Sequence, residues 1–550
     1  MFNYKYSCNF EEFIVFLRKT LSTATNIRTM QHKNFPIGIQ TFQEIREKNL
    51  FYMDKTGLVY KMAQGTKNNF LSRPRRFGKS LLVTTLQAYF EGKKELFKGL
   101  AIEKLEKDWT VYPVIRLDLS SGKYYSMEAL KSTVNNILSD YEELYHLRSS
   151  LEDTFGVRLT RIIKAAYEKS HQQVVVLVDE YDAPMLDSNS DETLQAEIRN
   201  RMRDFFSPLK AQSELLRFVF LTGITKFSQL SIFSELNNLN NFSMDDEYAA
   251  ICGFTKEEVL TCLKDDIQAL AERNNMTYDE AVEELKAEYD GYHFSAGSPD
   301  IFNPYSLLNV LYKKKFSDYW YTTGTPTFLV ELLQRENMDM LQLTNILATE
   351  SRFNTPTEHV GDPVPVLYQA GYLTIKGYDR LSRLYRLSFP NREVTRGFAN
   401  NLVQYYTPKD PGFRDAVYIA YVDYVLREEN MEKFITALKK FYDKFPYTLV
   451  NNNERHYQAV FFTILKMVGA DVYPEIPTSD GRIDMVMKTK QSIYVFELKY
   501  KKDAEMAMKQ INTKNYLKAF ADDKRRKYKV AINFSDDQRS IDDWKIEAVE

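Results

Sequence analysis

Between about residues 69 and 228 the chain alternates short apolar runs with amphipathic runs of helical period. The apolar runs at 111–119, 174–178 and 217–222 are rich in β-branched and aromatic residues, which favour strands. Parallel strands are covered by helices on both faces, and they therefore have nearly continuous apolar sequences. This alternation predicts an α/β domain built on a parallel sheet.

A basic loop with one glycine follows the first strand candidate. The apolar residues 69–71 lead into Arg73-Pro-Arg-Arg-Phe-Gly-Lys-Ser80, and the apolar run 81–86 comes next. This order of strand, loop and helix is typical of phosphate-binding loops. The general pattern G-x-x-x-x-G-K-[ST] has a glycine where this chain has Arg73, so a basic turn before a helix is the alternative interpretation.

Three consecutive residues of this loop have the chemistry that a nucleotide needs. Gly78 allows backbone N–H groups to close on a phosphate, and Lys79 supplies a positive charge for the β- and γ-phosphates. Ser80 can place its hydroxyl on Mg²⁺, and the start of the following helix adds its dipole. The sequence therefore predicts a nucleotide site.

Two carboxylates follow the apolar run 174–178. Asp179, at the end of a buried strand, can hold the water shell of Mg²⁺, and Glu180 can orient or activate the attacking water. Two acids that cap the next segment are the alternative, because Tyr181-Asp-Ala-Pro184 has the composition of a turn. Together with Lys79 the pair indicates an ATPase site more strongly than either part does alone.

Further polar residues lie beyond the third strand candidate, which ends in Thr222 and is followed by Lys226. Either side chain could sense the γ-phosphate at the carboxyl end of a central strand, and a plain turn is an equally good interpretation.

One helical run contains Arg199, Arg201 and Arg203. One of them could act as an arginine finger, although surface arginines are usually solvated or paired.

The last hundred residues form a second α/β unit with a sharper chemical signal. Asp480-Gly481 is a hairpin-type turn, and Asp484 follows it on one strand candidate. Glu497 and Lys499 lie two apart on the next strand candidate and therefore share one face. We expect two carboxylates and one ammonium group to surround a single point.

Hydrolysis of a phosphodiester needs such a set. Asp484 and Glu497 can hold one or two Mg²⁺ or Mn²⁺ ions, which prefer oxygen ligands. Lys499 can orient or help to deprotonate the attacking water, or stabilise the charge of the pentavalent phosphate. A Glu–Lys pair on a solvated sheet face is the alternative, but the apolar neighbours on this strand indicate that both faces are partly covered.

A basic run lies beside this set. Residues 499–529 contain eleven Lys or Arg and four Asp or Glu. Such a run suits a phosphate backbone, although a charged run is more often a solvated helix face. Its place next to the carboxylates favours DNA binding.

Five motifs together carry a resemblance to a known family. They are Phe51-Tyr-Met-Asp-Lys55, Phe70-Leu-Ser-Arg-Pro-Arg-Arg-Phe-Gly-Lys-Ser80, Val178-Asp-Glu-Tyr-Asp-Ala-Pro184, Leu221-Thr-Gly-Ile-Thr-Lys-Phe-Ser228 and Tyr289-Asp-Gly-Tyr292. Over roughly residues 30–550 the chain resembles the prokaryotic AAA-ATPase-like proteins that carry a C-terminal PD-(D/E)XK nuclease domain. In that family the loop form with Arg73 is usual.

The resemblance implies that ATP is bound by Lys79 and Ser80, with Asp179 as the metal residue and Glu180 as the catalytic residue that acts on water. The full set expected to bind ATP is Arg76, Phe77, Gly78, Lys79, Ser80, Leu81, Asp179 and Lys226. Ser80 and Asp179 are also expected to hold the metal ion.

The spacing of Asp484, Glu497 and Lys499 resembles the PD-(D/E)XK core, with Ile483 in the place of the motif's proline. The resemblance implies that these three residues are catalytic and that the two acids bind metal. Glu454 matches an acidic residue that often joins the metal site. In the downstream helix, Gln510 and Tyr516 match residues expected at the nucleic acid. For Glu454, Gln510 and Tyr516, ordinary surface or packing roles are equally good interpretations.

Composition excludes several other classes of protein. Lys plus Arg total 73 and Asp plus Glu total 75, so the whole chain is no polyanion-coating protein. The three cysteines lack metal-binding spacing and indicate a reducing, cytoplasmic setting. No apolar run approaches the ~20 residues of a membrane span.

We expect four segments. Residues 1–29 form an N-terminal extension that could reflect an over-called start, with Met30 as the alternative start. Residues 30–290 form an AAA-like P-loop ATPase domain. Residues 291–450 form a helical middle with a winged-helix-like part, and residues 451–550 form a restriction-endonuclease-like, PD-(D/E)XK nuclease domain.

The first functional hypothesis is an ATP-binding and ATP-hydrolysing protein with a Mg²⁺-dependent DNA endonuclease or exonuclease domain, serving defence or the control of mobile elements. The second is a signalling or scaffold ATPase whose nuclease-like domain binds nucleic acid without cutting, and whose oligomeric state changes with nucleotide. The third is a binding module in which both motifs are residual. The retained carboxylates and lysines of both sites argue against the third.

Overall fold

The computed structural model describes residues 33–148, 152–188, 191–225, 239–321, 333, 335–336, 338–355, 362–406, 412–443, 453–535 and 540–549. The expected extension 1–29, the expected boundary near residue 451 and the candidate ATP ligand Lys226 lie outside these ranges. No helix in the described ranges combines the length and the apolar character that a bilayer crossing needs.

The first sheet has five parallel strands in the order β2-β3-β4-β1-β5. The strands are β1 (Asn68–Ser72), β2 (Val114–Asp118), β3 (Val174–Asp179), β4 (Leu216–Gly223) and β5 (Asn240–Asn241). The parallel sheet predicted from the alternating apolar runs is confirmed. Its central strands β3, β4 and β1 are almost fully buried, which is why their sequences are nearly continuously apolar.

Helices cover both faces of this sheet. On β3, Val175 packs in a core that includes the helix Lys79–Phe90. Its neighbour Val176 packs in a second core, with the helices Met127–Leu144 and Phe155–Ser170. Successive side chains of a strand point to opposite faces, so the two cores lie on opposite sides of the sheet. The remaining helices of this part are Phe42–Glu47, Thr56–Gln64, Ala101–Leu105, Ala183–Asp187, Glu192–Phe206 and Pro208–Ala211.

A helical segment follows. Its helices are Lys256–Cys262, Lys264–Arg273, Tyr278–Tyr289 and Pro304–Lys313, beside the short antiparallel pair β6 (Phe254–Thr255) and β7 (Ile301–Phe302). A capping box begins the first of these helices, since the Thr255 hydroxyl accepts from the Glu258 N–H and the Glu258 carboxylate accepts from the Thr255 N–H.

The middle of the chain contains a three-stranded antiparallel sheet among helices. Its strands are β8 (Ile346–Ala348), β9 (Thr374–Asp379) and β10 (Leu384–Ser388), in the order β8-β10-β9. The helix Val364–Ala370 runs through Gly371, at a φ of 89°, towards β9. This helix therefore leads directly into the β9–β10 hairpin. The other helices here are Met340–Leu343, Glu350–Phe353, Arg392–Tyr406, Gly412–Ala420 and Met431–Tyr442, with a π-helical turn at Tyr421–Arg427.

The C-terminal sheet is mixed and has five strands in sequential order. They are β11 (Asp471–Thr478), β12 (Gly481–Lys488), β13 (Ser492–Tyr500), β14 (Arg526–Ser535) and β15 (Ser540–Val549). Only β13 and β14 run parallel to each other. The helix Glu454–Met467 precedes the sheet and the helix Ala504–Thr513 connects β13 to β14. β13 is central and buried over nearly its whole length.

One hydrophobic core joins these parts. It extends from Leu71 and Phe77, beside the first sheet, through Phe398 of the middle segment to Phe461 and Phe496 of the C-terminal unit. The parts that the sequence separates into segments therefore share apolar contacts in the folded chain.

Replacement of Arg158 by methionine tests the packing of the helices on one face of the first sheet. Its guanidinium donates to both carboxylate oxygens of Glu142 at 2.8 Å, and both side chains are buried. Loss of one partner leaves a buried charge uncompensated, so we expect the free energy of unfolding to fall by about 3–5 kcal/mol. Urea denaturation followed by circular dichroism measures the change.

Arg161 provides the matched control on the same helix. It pairs with Asp153 at a solvent-exposed position, and Arg161→Met should therefore cost only about 0–1 kcal/mol. Similar losses in both variants would show that the buried pair is not the stabilising contact.

Candidate functional site: a phosphate-binding loop and a carboxylate–lysine site

The basic loop predicted to bind phosphate lies between β1 and the helix Lys79–Phe90. Gly78 has a φ of 93°, in the left-handed region where a side chain is strained, and a Cβ there would meet no neighbouring atom within 4 Å. Arg76 also has a positive φ, of 66°. These two residues turn the chain sharply into the first turn of the helix, as a phosphate-binding loop requires.

Arg73 stands where other such loops have glycine, and its side chain points into the protein. It is 1% exposed, and its guanidinium donates to the carbonyls of Ser72, Ser243 and Tyr248 at 2.9, 2.9 and 3.1 Å. The guanidinium carbon lies 4.0 Å from the ring centre of Phe294. Burial lowers the pKa of Arg73 to about 10. Arg73 therefore anchors the loop and is not one of the groups that face a ligand.

Three further contacts support the loop from the middle segment of the chain. The Phe77 ring is buried edge-on against Tyr292, at 4.8 Å between ring centres. The Trp320 indole donates to the Arg75 carbonyl at 3.0 Å. Pro74 lies so close to Gly371 that a Cβ at that glycine would come within 2.6 Å of it. The loop is thus fixed by residues more than 200 positions away in sequence.

The loop ends at the start of the helix Lys79–Phe90, and there Lys79 and Ser80 lie close to Asp179. Lys79 is buried and its ammonium donates to the Pro74 carbonyl at 3.3 Å. Burial raises the pKa of Asp179 to about 6, against the opposing effects of a hydrogen bond from Ser80 and the charge of Lys79. The Asp179 Oδ1 atom is buried without a hydrogen-bond partner. A buried, unpaired carboxylate oxygen beside a hydroxyl fits a hydrated divalent cation.

A cavity of about 440 Å³ opens beside this cluster. Its wall includes the predicted ATP residues Arg76, Phe77, Gly78, Lys79, Ser80 and Leu81, and the predicted catalytic residue Glu180. Asp179 is not part of this wall and contacts it through its hydrogen bond with Ser80. Lys226 is outside the described ranges. The cavity has the size of a small-molecule site.

The sequence reasoning missed the far wall of this cavity. The segments 36–40, 51–53, 251–254 and 304–309 line it, together with Lys55. Both oxygens of Glu258 accept from the Lys55 ammonium, the second at 2.6 Å. The Arg76 guanidinium carbon lies 4.9 Å from the ring centre of Tyr305. The sequence feature that could have identified this wall is the motif Phe51-Tyr-Met-Asp-Lys55, to which no role was assigned.

At the end of β4, the structure describes one of the two candidates for sensing a phosphate, Thr222, together with Asp182, which the sequence did not single out. The Thr222 hydroxyl donates to the Leu71 carbonyl at 2.7 Å, so it joins two strands and does not face the cavity. Asp182 accepts from the Ile224 and Thr225 N–H groups at 2.9 and 2.7 Å and fixes the end of β4. Arg199 donates to Gln195 on its own helix.

The carboxylate–lysine set of the C-terminal unit is brought together as predicted. Asp484 on β12 accepts from the Leu498 N–H at 2.8 Å, and Glu497 on β13 accepts from the Lys499 ammonium at 2.6 Å. Glu497 is 0% exposed and Lys499 is 7% exposed. The alternative of a solvated sheet face is therefore wrong.

The two carboxylates are strongly perturbed. Burial raises the pKa of Asp484 to about 6, although the Leu498 N–H opposes the shift. Burial and then the charge of Asp484 raise the pKa of Glu497 to about 7. The Glu497 Oε2 atom is buried and has no hydrogen-bond partner. Such an oxygen is costly unless a further group binds it, which a divalent cation would do.

The three flanking candidates are placed differently from one another. A carboxylate oxygen of Glu454 lies 4.0 Å from the Lys499 ammonium. Gln510 donates to the Tyr516 hydroxyl at 3.2 Å, and Tyr516 is buried, so its ring lies beneath the site rather than on the surface. Within the described ranges, no three His, Cys, Asp or Glu side chains form a complete metal-binding group. A Mg²⁺ ion here would be held by two carboxylates and completed by water and phosphate oxygens, which is its usual preference.

Comparison with known proteins identifies both domains. The family described as predicted AAA-ATPase matches residues 36–233, and the PD-(D/E)XK nuclease superfamily matches residues 452–544. A curated protein of Azotobacter chroococcum mcd 1, named as an uncharacterized protein in the vnfD 5' region, is 33% identical over 535 residues. That alignment spans 94% of this chain and 100% of the other. The chain belongs to the AAA-ATPase-like family with a C-terminal PD-(D/E)XK nuclease domain.

Solved structures are more distant from this AAA-ATPase-like protein. The Aeropyrum pernix ORC1 protein in complex with DNA is 12% identical, with a TM-score of 0.24, over 63% of this chain and 91% of that one. The Aeropyrum pernix ORC2 protein in ADPNP–ADP complexes is 12% identical, with a TM-score of 0.26, over 64% and 91%.

The pKa shifts of the nuclease-superfamily domain predict a pH-dependent effect of divalent cations. Without metal, raised carboxyl pKa values mean that the folded state binds more protons than the unfolded state. The contribution of Asp484 and Glu497 to stability is therefore lost as pH rises from about 4 through about 7. Metal binds the ionised forms, so its stabilising effect grows over the same window.

We therefore expect Mg²⁺ or Mn²⁺, without nucleotide, to raise the melting temperature more at about pH 8 than at about pH 5.5. Thermal unfolding followed by circular dichroism measures both values. Glu497→Gln should reduce the difference, leaving the part that Asp179 and Asp484 contribute, and the control Glu505→Gln, at an exposed position on the next helix, should retain it in full. A metal effect that is equal at the two pH values would refute this account of the site.

Proposed function

We propose that this protein binds and hydrolyses ATP and cleaves DNA at the Asp484, Glu497 and Lys499 site. The observation that carries the proposal is the buried Glu497 oxygen without a partner, on a central strand and beside a second carboxylate and a lysine. A protein does not retain such a set in its interior for stability, since a well-packed apolar group would cost less.

At the ATPase-like site, each residue has a role that follows from its position. Lys79 and the left-handed turn at Gly78 receive the phosphates, and Ser80 with Asp179 would hold Mg²⁺. The ion would offset the charge that develops on the transferring phosphate. Glu180 lines the cavity, and from there it would accept a hydrogen bond from the attacking water.

At the nuclease-like site, Asp484 and Glu497 would hold the divalent cation, which supplies activation of water and neutralises phosphate charge. The Leu498 N–H fixes the orientation of Asp484. Lys499 lies within hydrogen-bonding distance of Glu497, and its ammonium can orient the water or stabilise the phosphate. Burial, the largest single effect, would lower the pKa of Lys499, but the hydrogen bond with Glu497 and the charges of Glu497, Glu454 and Asp484 together outweigh it, so the pKa is raised. Lys499 therefore acts as a cation.

The loop contacts suggest how the two activities are coupled. The phosphate-binding loop is held by Trp320 and Gly371, which belong to the middle segment that packs on the nuclease-like domain. The phosphates of ATP would bind to this same loop. We infer that the nucleotide state sets the arrangement of the middle segment and, through it, of the nuclease-like domain.

Variants at two positions separate ATP binding from hydrolysis. Lys79→Ala should weaken ATP binding at least about tenfold, because it removes the cation at the phosphates. Glu180→Gln should bind ATP normally and lose hydrolysis, because the amide cannot take up a proton. Titration calorimetry and phosphate release measure the two effects, with the exposed Lys94→Ala as control. Hydrolysis that survives in Glu180→Gln would assign the water residue elsewhere.

Nuclease activity is tested on linear and circular DNA with Mg²⁺ or Mn²⁺, with and without ATP. Asp484→Asn and Lys499→Ala should each lower cleavage by a factor of about a hundred or more, as loss of an electrostatic catalytic group does. Lys94→Ala, at an exposed position outside the basic run 499–529, is the control. If the unchanged protein binds DNA but never cuts it, the ATPase that binds nucleic acid without cutting is favoured.

A further inference from the structure

The β9–β10 hairpin of the middle segment ends in an ordered, exposed tip. The Asp379 carboxylate accepts from the Leu381 N–H at 2.9 Å and from the Ser382 hydroxyl at 2.8 Å. The first of these contacts lowers the pKa of Asp379. Across the strands, the rings of Tyr378 and Tyr385 lie 4.5 Å apart. The tip is therefore held in one shape by its own contacts.

An aliphatic side chain stands at the point of this tip. Leu381 is 97% exposed, which is more than any other large apolar residue in the described ranges. A turn position of this kind accepts almost any polar residue, so folding does not call for a leucine here. A fully exposed leucine on an ordered turn is suited to insertion into a partner.

Two arginines lie beside this leucine in the turn, and a third lies further along β10, opposite Gly377. Arg380 and Arg383 flank it, and Arg386 lies on the exposed face of β10. In the part of the chain that the structure describes, none of the three guanidinium groups has an ion pair or a hydrogen bond. Asp379, the acidic residue of the tip, uses both its oxygens in the turn. The tip thus presents unpaired positive charge around one apolar wedge.

This combination matches the chemistry of a nucleic-acid duplex. Proteins that bind the minor groove insert apolar side chains between base steps and place arginines against the groove and its phosphates. A protein partner would require a broader apolar core with aromatic residues, and a membrane anchor would require several apolar residues on one face. The tip itself offers one exposed leucine beside two arginines, and the exposed Tyr378 and Leu347 lie further down the sheet, so the tip fits neither.

The hairpin is also joined to the domain that would cut the duplex. β10 pairs with β8, which follows the helix Met340–Leu343. That helix is capped by Asp339, whose carboxylate lies 3.6 Å from Arg455 at the start of the helix carrying Glu454. The tip and the nuclease-like site therefore belong to one packed unit.

We propose that the tip of the β9–β10 hairpin binds double-stranded DNA, with Leu381 entering the minor groove and the arginines contacting phosphates. The inference deepens the proposed nuclease function, since the duplex bound here is the substrate expected at the nuclease-like site. The hairpin supplies affinity and position, and it takes no part in cleavage.

Fluorescence anisotropy with a labelled duplex of about 20 base pairs tests the proposal, on the full-length chain without divalent metal so that no cleavage interferes. Arg380→Ala with Arg383→Ala should weaken duplex binding about tenfold or more and should reduce the slope of log affinity against log salt by about 2. Leu381→Ser should weaken duplex binding without changing that slope. Binding of a single strand of the same length should change little in either variant.

The control is Arg148→Ala with Arg273→Ala, which removes two exposed arginines elsewhere. Equal loss in this control, or unchanged duplex affinity in both hairpin variants, would overturn the proposal. Binding to phosphatidylserine vesicles that depends on Leu381 while duplex affinity does not would assign the tip to a membrane and would also overturn it.

Cleavage assays with metal keep this result separate from the nuclease proposal. If the unchanged protein cuts DNA and both hairpin variants bind and cut as it does, the hairpin proposal alone fails. If nothing is cut but duplex affinity depends on the tip, the hairpin proposal stands and the nuclease proposal fails.

Discussion

The buried guanidinium of Arg73 is the contact on which the arrangement of the ATPase-like half depends. A positive charge in the protein interior is tolerated only when acceptors surround it, and here three backbone carbonyls and the face of Phe294 stabilise it. Those groups come from the end of β1, from the segment after β5 and from the segment after the helix Tyr278–Tyr289. A glycine at this position would remove these contacts, so the departure from the general loop pattern adds a link between the loop and these segments.

The parallel sheet and the carboxylate–lysine set could be predicted because both depend on local rules. Strands buried on both faces must be apolar throughout, and residues two apart on a strand must share a face, as Glu497 and Lys499 do. The role of Arg73 could not be predicted, because its acceptors Ser243 and Tyr248 are about 170 positions away. The far wall of the nucleotide cavity escaped prediction for the same reason: Lys55 and Tyr305 become neighbours of the loop only in the folded chain.

The two sites share one electrostatic design. Each places a carboxylate oxygen inside the protein without a hydrogen-bond partner, at Asp179 and at Glu497. Each sets a lysine and a second polar group beside it, and burial raises the carboxyl pKa in both. Such oxygens raise the energy of the empty protein and lower it when a cation is bound. The ionised carboxylates of Asp179 and Glu497 are therefore unfavourable in the empty protein, and a bound cation would stabilise both.

The support of the phosphate-binding loop by Trp320 and Gly371 bears on how this protein could be divided. The expected ATPase domain ends at residue 290, yet the residues that brace its loop lie beyond that point. A fragment cut there would retain the sheet and the Gly-Lys-Ser sequence but would lack the indole donor to Arg75 and the backbone against which Pro74 rests. The loop and the middle segment therefore form one structural unit, and a fragment that is to keep the shape of the loop must include the middle segment.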